Sequence, residues 1–403
     1  MLTLDEARRR LLARARRMDP EPAPVLLAEA AGRVLAEPRI VAAVDVPPFA
    51  NSAMDGFAVR ARDTPGTLRV AGESAAGAGE IPAVEPGTAV AIATGAPMPD
   101  GADAVVPIEE VTEEGDSVTM AAEVRAGAHV RDRGHDTRVG DEICLPGELA
   151  PAGVAVLASL GFGKVSVRRR PRVGILSTGD ELVAPGDPLG PNQVHDANGI
   201  ALAAAVREAG GEPIVLPRVP DEAWPTERAL LDAARASDVV VTSGGVSVGR
   251  RDHVRGVLER HGSLDFWRIA VQPGKPLAVG ALGGATVIGL PGNPVSALVT
   301  FELFVRPFLR SMLGLDLDGR VHVRAVPTEP MAKDRSRRAF LRVRVWHEDG
   351  SIHAAPAGGQ ASSQLRPMAG ANALLVVPEG LEAAAPPDTY EAIMLAPILL
   401  TGR

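Results

Sequence analysis

A loop near the middle of the chain combines small residues with a carboxylate. It runs Thr242-Ser243-Gly244-Gly245-Val246-Ser247-Val248-Gly249-Arg250-Arg251-Asp252, after the apolar run Val239-Val240-Val241 and before a helix-like stretch, 254–260. Glycines let a ligand approach the backbone, and a helix start offers unpaired N–H groups to an anion. The acid Asp252 suits a divalent cation. The pattern indicates a phosphate ligand held with a metal ion, or else an ordinary strand-to-helix turn with an N-cap aspartate.

Two further loops of this kind follow other apolar runs. Ser177-Thr178-Gly179-Asp180-Glu181-Leu182 offers hydroxyls and a glycine to phosphate, and its acids suit Mg²⁺, with a helix-capping turn as the alternative. Gly289-Leu290-Pro291-Gly292-Asn293-Pro294 predicts a helix start in which Asn293 is the N-cap and Pro294 the first helical residue. Each loop alone has a plain structural explanation, but three at one sheet edge favour a binding site.

Single charged residues extend this set. Gln272-Pro273-Gly274-Lys275-Pro276 holds one of the three lysines among 42 basic residues, so Lys275 is a candidate contact to a phosphate or oxyanion. A solvated turn lysine is the alternative. Asp196 and Asp221 stand near strand–helix junctions and are candidates for further carboxylates, or for caps and surface acids.

The segment Pro47–Val59 is the most distinctive part of the N-terminal region. Its prolines stiffen the chain, and Asp55-Gly56 predicts a tight turn that exposes the carboxylate, although a simple hairpin turn has the same pattern. The small-residue loop around Thr94 has the same two interpretations. His135 and His195 have no partners at ligand spacing, and we do not predict either as a metal ligand.

The elements around these loops predict a multidomain α/β plus β protein. An amphipathic helix is expected over Leu4–Met18, and strands alternate with helices from Arg172 onward, which indicates a parallel-sheet α/β domain. The N-terminal part is β-rich, and alternation near the C-terminus indicates a small β-barrel-like domain. The predicted domains are 1–45 with 144–170 (discontinuous, helical and linker), 46–143 (β-rich, inserted), 171–315 (α/β) and 316–403 (β).

Composition limits the classes of function. The chain has 403 residues, 46% hydrophobic and 23% charged, and its net charge of −8 argues against nucleic acid as a partner. No apolar stretch approaches a membrane span. Cys144 is the only cysteine, which excludes an intrachain disulfide and fits a cytoplasmic protein. The residues themselves lead to an α/β domain that binds a phosphorylated ligand with a divalent cation, for phosphoryl or nucleotidyl chemistry on an unnamed substrate.

Six segments in order resemble the molybdopterin molybdenumtransferase family, which includes the bacterial MoeA proteins and the gephyrin E domain. The resemblance covers essentially the whole chain, and the combination is specific although no single segment is. The segments are Pro47-Pro48-Phe49 with Ser52-Ala53-Met54-Asp55-Gly56, Thr94-Gly95-Ala96-Pro97, Ser177-Thr178-Gly179-Asp180-Glu181-Leu182, Ser243-Gly244-Gly245-Val246-Ser247, Pro273-Gly274-Lys275-Pro276 and Leu290-Pro291-Gly292-Asn293-Pro294.

This resemblance implies an enzyme that takes adenylyl-molybdopterin and molybdate with Mg²⁺, inserts molybdenum and releases AMP. It also implies a molybdopterin-binding α/β domain and a homodimer whose active site is shared between subunits. Asp55, Thr94, Glu181, Asp221 and Asp252 would then be catalytic, with Glu181 and Asp252 at the metal. The implied substrate-binding residues are Thr178, Gly179, Asp180, Ser243, Gly244, Gly245, Ser247, Lys275, Pro291, Gly292, Asn293, Pro294, Ser362 and Ser363, with the two last serines near molybdate.

Some positions depart from the family pattern. Arg250-Arg251 stands where an acid is frequent, Gln272 replaces a common lysine, His135 a glutamate and Phe57 a tyrosine. These departures leave the preference between molybdate and tungstate open. Two alternatives also remain: an enzyme like molybdopterin adenylyltransferase, which shares the α/β domain but is about one domain long, and a non-catalytic molybdopterin-binding scaffold. An adenylyltransferase is also a candidate partner protein.

Overall fold

The computed structural model describes residues 1–77, 80–246, 253–317 and 319–399. The chain folds as two units, one formed by Met1–Glu21 with Arg168–Arg403 and the other by Pro22–Val167. The predicted fold class, with β-rich N-terminal parts, an α/β sheet and a C-terminal β barrel, is confirmed. The finer division into four domains stays a prediction. No helix in the described ranges is long and apolar enough to cross a membrane.

The first helix, α1 (Leu4–Leu12), is shorter than predicted. Thr3 caps it by accepting the Glu6 N–H at 3.2 Å, and Leu4, Ala7 and Leu11 form its buried face. The prediction that it continues to Met18 was wrong. Arg14 and Ala15, the next positions of that face, are only partly buried, and the Met18 N–H bonds instead to the Met312 carbonyl at 2.8 Å.

The second unit is built on a six-stranded sheet with strand order β7-β4-β6-β5-β9-β8. One face buries Phe57, Leu68, Val106 and Met120, so the apolar positions of short alternating strands form its core. Its elements are β1 (Val25–Leu26), β2 (Arg39–Val41), β3 (Asn51–Ser52), β4 (Gly56–Val59), β5 (Gly66–Ser74), β6 (Thr88–Ile92), β7 (Ala104–Pro107), β8 (Val111–Glu114), β9 (Ser117–Met120), β10 (Val130–Arg131), β11 (Glu142–Cys144), α2 (Pro151–Ser159) and β12 (Lys164–Val165).

The α/β part of the first unit has a six-stranded sheet in the order β16-β13-β17-β21-β20-β18. Its elements are β13 (Arg172–Ser177), β14 (Leu182–Val183), β15 (Val194–His195), α3 (Ala197–Glu208), β16 (Glu212–Val215), α4 (Ala223–Ala236), β17 (Val239–Ser243), α5 (His253–His261), β18 (Gly262–Trp267), β19 (Val271–Gln272), β20 (Ala278–Leu282), β21 (Ala285–Leu290), α6 (Pro294–Thr300) and α7 (Arg306–Leu313), with one π-helical turn, Phe301–Val305, between the last two.

The sheet is parallel on one side and antiparallel on the other. Strands β16, β13, β17 and β21 run parallel, as predicted, whereas β20 runs antiparallel to both of its neighbours. The reason is a two-residue hairpin, Gly283-Gly284, which joins β20 directly to β21. A loop this short permits only an antiparallel pair.

The C-terminal part closes into a five-stranded barrel. Strand β24 pairs with β25, and the ring continues through β22, β28 and β26 back to β24. Leu341, Val343, Val345 and Leu375 fill its interior. The elements are β22 (His322–Pro327), β23 (Met331–Ala332), β24 (Arg338–Glu348), β25 (Ser351–Pro356), α8 (Leu365–Ala369), β26 (Ala373–Val377), β27 (Ala383–Ala384) and β28 (Tyr390–Met394).

Candidate functional site

The three loops begin at one level of the parallel sheet. Ser177, Ser243 and Leu290 end β13, β17 and β21, and the register pairs Ser177 with Ser243 and Ser243 with Leu290. The loop after β13 also bonds to the segment before α4, because the Gly179 N–H donates to the Val219 carbonyl at 3.4 Å. This contact explains how Asp221, distant in sequence from the glycine loops, reaches the same edge.

A cavity of about 440 Å³ opens between these loops. It lies beyond the carboxyl ends of parallel strands, where ligands bind in sheets of this class. Most of its lining was predicted from sequence. The lining residues are Thr178, Gly179, Glu181, Asp221, Gly244, Gly245, Val246, Pro276, Pro291, Gly292 and Asn293.

Volume alone does not mark the site. A larger cavity of about 600 Å³ is lined by the segment Ala13–Asp19 and by residues at the amino ends of β17 and β21. Two of its charged residues, Arg169 and Asp238, already bind each other through two hydrogen bonds of 2.7 Å. The cavity between the three loops is the better candidate because glycine backbone and carboxylates converge there.

Two glycines give the cavity its close backbone wall. Gly244 and Gly245 have φ angles of +93° and +68°, a region that side chains rarely adopt. A Cβ at Gly244 would lie 3.0 Å from the Thr178 hydroxyl oxygen and 3.1 Å from its carbonyl oxygen. Glycine is therefore needed at position 244 both for the turn and for the contact with the neighbouring loop.

Three acids lie at the sheet edge. The Glu181 carboxylate folds back over the first loop, since both its oxygens would be 2.8 Å from a Cβ at Gly179. Asp180 accepts the Asp221 N–H at 3.0 Å and so holds the Asp221 backbone, whose carbonyl oxygen lies 3.2 Å from Nε2 of His253. Glu181 and Asp221 line the cavity, whereas Asp180 holds the backbone of Asp221 in position.

The helix begins where the sequence predicted, but the Asn293 side chain has an unexpected partner. Asn293 occupies the N-cap position and Pro294 the first turn, but the Asn293 side chain makes no capping hydrogen bond. Its Nδ2 donates instead to Oγ of Ser362 at 3.1 Å, and the Ser362 carbonyl accepts the Val295 N–H at 3.2 Å. The predicted N-cap position of Asn293 and the predicted place of Pro294 are confirmed, but a loop of the barrel, and not the Asn293 side chain, supplies the oxygen atom that accepts at this helix start. Ser362 thereby joins the site, with the exposed Ser363 beside it.

Sequence reasoning missed Arg342, which holds this serine loop. Only 1% of Arg342 is exposed, and its guanidinium donates to the carbonyls of Gly359 (3.0 Å) and Ala361 (3.2 Å). Burial lowers the pKa of Arg342 below the ordinary guanidinium value. An isolated Arg in an alternating strand, as at position 342, carries no sequence signal of burial.

Lys275 lies one residue from the cavity wall, which Pro276 lines, and it is exposed. The preceding Gly274 has φ +113°, and a Cβ there would overlap the Thr300 methyl group on α6. Gln272, at the position where the family often has lysine, accepts the Asp334 N–H at 2.9 Å. Gln272 therefore binds the backbone of the barrel segment at Asp334.

The second unit contains Asp55 and Thr94 in mutual contact. Oδ1 of Asp55 accepts the Thr94 backbone N–H at 2.6 Å, and both residues are exposed. The turn requires Gly56, because a Cβ there would overlap the Val106 carbonyl oxygen. The predicted exposed carboxylate is confirmed as a structural feature. Phe57, a departure from the family pattern, packs in the core of this unit and is 4% exposed.

Some of the residues named from the sequence lie outside the described residues, and one residue of the site was not predicted. Ser247 and Asp252, together with Arg250, fall outside the described ranges. Asn198 was missed: its side chain bonds to Ser243 and to the Gly292 carbonyl. The sequence contains only a weak signal for Asn198, because it shows no more than an asparagine two residues after Asp196. Asp196 itself caps α3 by accepting the Gly199 N–H at 2.8 Å.

Comparison with family models covers nearly the whole chain. Residues 2–161 match the "MoeA N-terminal region (domain I and II)", residues 174–311 the "probable molybdopterin binding domain", and residues 324–393 the "MoeA C-terminal region (domain IV)". The three regions contain the Asp55 turn, the three loops of the cavity and the Ser362 loop, respectively.

Similar proteins match over comparable lengths. Molybdopterin molybdenumtransferase 2 of Mycobacterium tuberculosis is 40% identical over 372 residues, which is 89% of this chain and 91% of the relative. Molybdopterin molybdenumtransferase of Haemophilus influenzae is 39% identical over 386 residues, 94% of each chain. The crystal structure of the molybdopterin biosynthesis MoeA protein from Pyrococcus horikoshii superposes with a TM-score of 0.83 at 32% identity, covering 98% of this chain and 100% of that one.

Proposed function

Because the chain belongs to the MoeA family of molybdopterin molybdenumtransferases, we propose that it transfers molybdenum to molybdopterin in the biosynthesis of the molybdenum cofactor. One observation carries this proposal: relatives with that activity in their names align over about nine-tenths of the chain. A relative of the single-domain adenylyltransferase would not need the Asp55 turn or the barrel.

The substrates we propose are adenylyl-molybdopterin and molybdate, with AMP as the released product. The wall formed by Gly244 and Gly245 supports a phosphate at the ends of β17 and β21, because a ligand can approach this backbone without side chains in between. The Gly244 N–H itself is donated to the Leu290 carbonyl at 3.1 Å, which holds the wall in place. Thr178 and Ser243 add hydroxyl groups, and Lys275 adds a positive charge near Pro276. We place molybdate near Ser362 and Ser363, beside Asn293.

Mg²⁺ fits the donor set of the cavity. Glu181 and Asp221 offer carboxylate oxygens, the ligands this hard cation prefers, and Mg²⁺ usually binds one or two carboxylates together with substrate phosphates and waters. In the described part of the chain no group of three His, Cys, Asp or Glu side chains forms a metal site. We propose that Glu181 holds the ion together with Asp252, which the family resemblance implies and which lies outside the described residues. Asp221 would add a further carboxylate beside the ion. When bound, it would neutralise phosphate charge.

We propose further that Asp55 and Thr94 act in catalysis and that the protein is a cytoplasmic homodimer with shared active sites. Every described residue that lines the cavity belongs to the first unit, whereas Asp55 and Thr94 belong to the second. The family resemblance implies that subunits exchange these parts. An adenylyltransferase is the proposed donor partner, since it would supply the adenylylated substrate.

The decisive experiment measures AMP release from adenylyl-molybdopterin with molybdate and Mg²⁺. We expect release by the wild-type protein, dependence on molybdate, and strong loss in Glu181→Gln. Substrate that binds without AMP release above background would contradict the enzyme and favour a scaffold. Formation of pyrophosphate from ATP and molybdopterin would favour an adenylyltransferase.

A further inference from the structure

One side chain ties two of the three loops together. Asn198 lies in the first turn of α3, and its Nδ2 donates to Oγ of Ser243 at 2.7 Å and to the Gly292 carbonyl oxygen at 2.8 Å. Ser243 opens the loop that contains Gly244 and Gly245, and Gly292 lies in the loop before α6. A single amide group therefore sets the spacing between two walls of the cavity.

The Gly292 carbonyl fixes the orientation of this amide. A carbonyl oxygen accepts but never donates, so the atom facing it must be Nδ2 of Asn198 rather than Oδ1. Both hydrogens of Nδ2 are then used, one on Gly292 and one on the Ser243 hydroxyl. Because Ser243 accepts this bond, its own hydroxyl hydrogen stays available as a donor.

The Ser243 hydroxyl hydrogen has no acceptor among the described residues. Ser243 is only 4% exposed, and a buried donor without a partner costs free energy. A ligand oxygen at the adjacent cavity would supply the acceptor. The oxygens of a phosphate accept hydrogen bonds and never donate them when ionised, which matches a site that presents only a donor.

The backbone on the N-terminal side of Asn198 is fixed before any ligand arrives. Asp196 is 8% exposed, its N–H donates to the Val183 carbonyl at 2.8 Å, and its carboxylate accepts the Gly199 N–H at 2.8 Å. The first turn of α3 is therefore held on both sides of position 198. Such support is typical of residues that orient a binding group.

We propose that Asn198 is a positioning residue that directs the Ser243 hydroxyl hydrogen toward a phosphate oxygen of the bound nucleotide. The nature of the ligand rests on the proposed function, whereas the role of Asn198 does not depend on turnover. An aspartate at position 198 would reverse the arrangement. Its carboxylate would accept a hydrogen bond from the Ser243 hydroxyl, repel the Gly292 carbonyl and add negative charge beside a phosphate.

The test uses the full-length protein and AMP as the probe, with affinity measured by titration calorimetry. We expect Asn198→Asp and Ser243→Ala each to weaken AMP binding about tenfold or more, the equivalent of one charge-assisted hydrogen bond. Adding Asn198→Ala to Ser243→Ala should weaken binding much less than Asn198→Ala does in the wild-type background, because Asn198 acts through Ser243. Arg207→Ala, an exposed position at the end of α3, is the matched control and should bind AMP normally.

Circular dichroism and thermal melting identify any variant that fails to fold. If Asn198→Asp fails to fold, the AMP affinities of Asn198→Ala, Ser243→Ala and the double variant test the proposal. Unchanged AMP affinity in folded Asn198→Asp, or fully additive losses in the double variant, would overturn the proposal. So would a wild-type protein that does not bind AMP. Failure of the proposed function looks different: the wild type would bind AMP but release none from adenylyl-molybdopterin, and the affinities would still decide the role of Asn198.

Discussion

At the scale of single residues, the contact between Asp55 and Thr94 separates two proposed roles. Asp55 accepts a hydrogen bond from the backbone N–H of Thr94, so the Thr94 hydroxyl does not take part in it. Sequence patterns predicted an exposed carboxylate in a tight turn but could not identify this partner. A bond to a backbone group leaves no trace in the type of side chain at position 94.

We predict different results for these two positions. Asp55→Asn removes the negative charge and should lower kcat by at least about a hundredfold, a typical cost for a catalytic acid or base, with little effect on AMP affinity. Thr94→Ala keeps the backbone bond, so any loss of turnover in this variant reports on the hydroxyl itself. Steady-state assays of AMP release with parallel AMP titrations measure both effects. Equal loss of turnover and affinity in Asp55→Asn would contradict a catalytic role.

The Asp238 carboxylate supplies a second prediction, on stability against pH. Burial raises its pKa, but hydrogen bonds from the Arg169 guanidinium and the Arg172 N–H outweigh burial and leave the pKa below the ordinary value of 3.8. The charged form thus stabilises the folded state above that value, and this stability is lost as pH falls through the folded pKa. Asp238→Asn should cost about 1–3 kcal/mol at pH 7 and progressively less below pH 4.

Denaturation midpoints of wild type and Asp238→Asn across pH 2.5–8 measure this difference. Asp232→Asn is the control, because its carboxylate is in an exposed pair with Arg235 and should contribute little at any pH. A constant difference between wild type and Asp238→Asn down to the lowest pH would show that the ionised carboxylate is not responsible.

At the scale of elements, close backbone approaches join the loops of the site to α6. The segment that carries Lys275 packs on this helix through Gly274, where a Cβ would overlap the Thr300 methyl group. Thr300 is fully buried, and its hydroxyl donates to the Ser296 carbonyl at 2.7 Å. The position of Lys275 therefore depends on a glycine and a helix residue, neither of which is among the described residues that line the cavity.

We predict that Gly274→Ala lowers both the apparent Tm and the affinity for AMP or molybdate. The overlap and the positive φ together should cost about 1–3 kcal/mol or more. Thr300→Ser removes the methyl group while keeping the hydroxyl, so Gly274→Ala/Thr300→Ser should recover part of the loss. Thermal melts and ligand titrations of the single and double variants test this, and no recovery in the double variant would exclude the methyl contact as the cause.

Element boundaries show how far the sequence could predict the structure. The strand before the central loop and the helix after it, predicted at 239–241 and 254–260, agree within two residues with β17 and α5, because their apolar residues are bounded by glycines or acids. The end of α1 was not, since arginines after Leu12 fit a helix as well as a turn, and only the contact of Met18 with Met312 decides between them. The N-cap position of Asn293 was predicted, but its side-chain partner was not, because Ser362 is distant in sequence.

At the scale of the whole molecule, the proposed shared active site has a direct test. Asp55 belongs to the second unit and Glu181 to the first. If each active site combines these units from two subunits, a dimer of one Asp55→Asn chain and one Glu181→Gln chain contains one intact site. Randomly mixed subunits should then recover about one quarter of wild-type activity. Sites formed within single chains would recover none.

The mixing experiment requires dissociation and reassociation, so wild-type protein treated in the same way is the control. Analytical ultracentrifugation should report a dimer before and after treatment. A monomer that keeps full activity would overturn both the homodimer and the shared site.

The closed ring of β24, β25, β22, β28 and β26 has a consequence for local opening. The α/β sheet ends in β16 and β18, each paired on one side only, and such strands can detach without disturbing the rest. Within the ring every strand is paired on both sides, so none can leave first. In amide hydrogen–deuterium exchange we expect the five ring strands to exchange together at one rate, whereas β16 and β18 exchange ahead of β13 and β17. The serine loop that touches α6 is thus anchored on the part of the molecule least prone to partial unfolding.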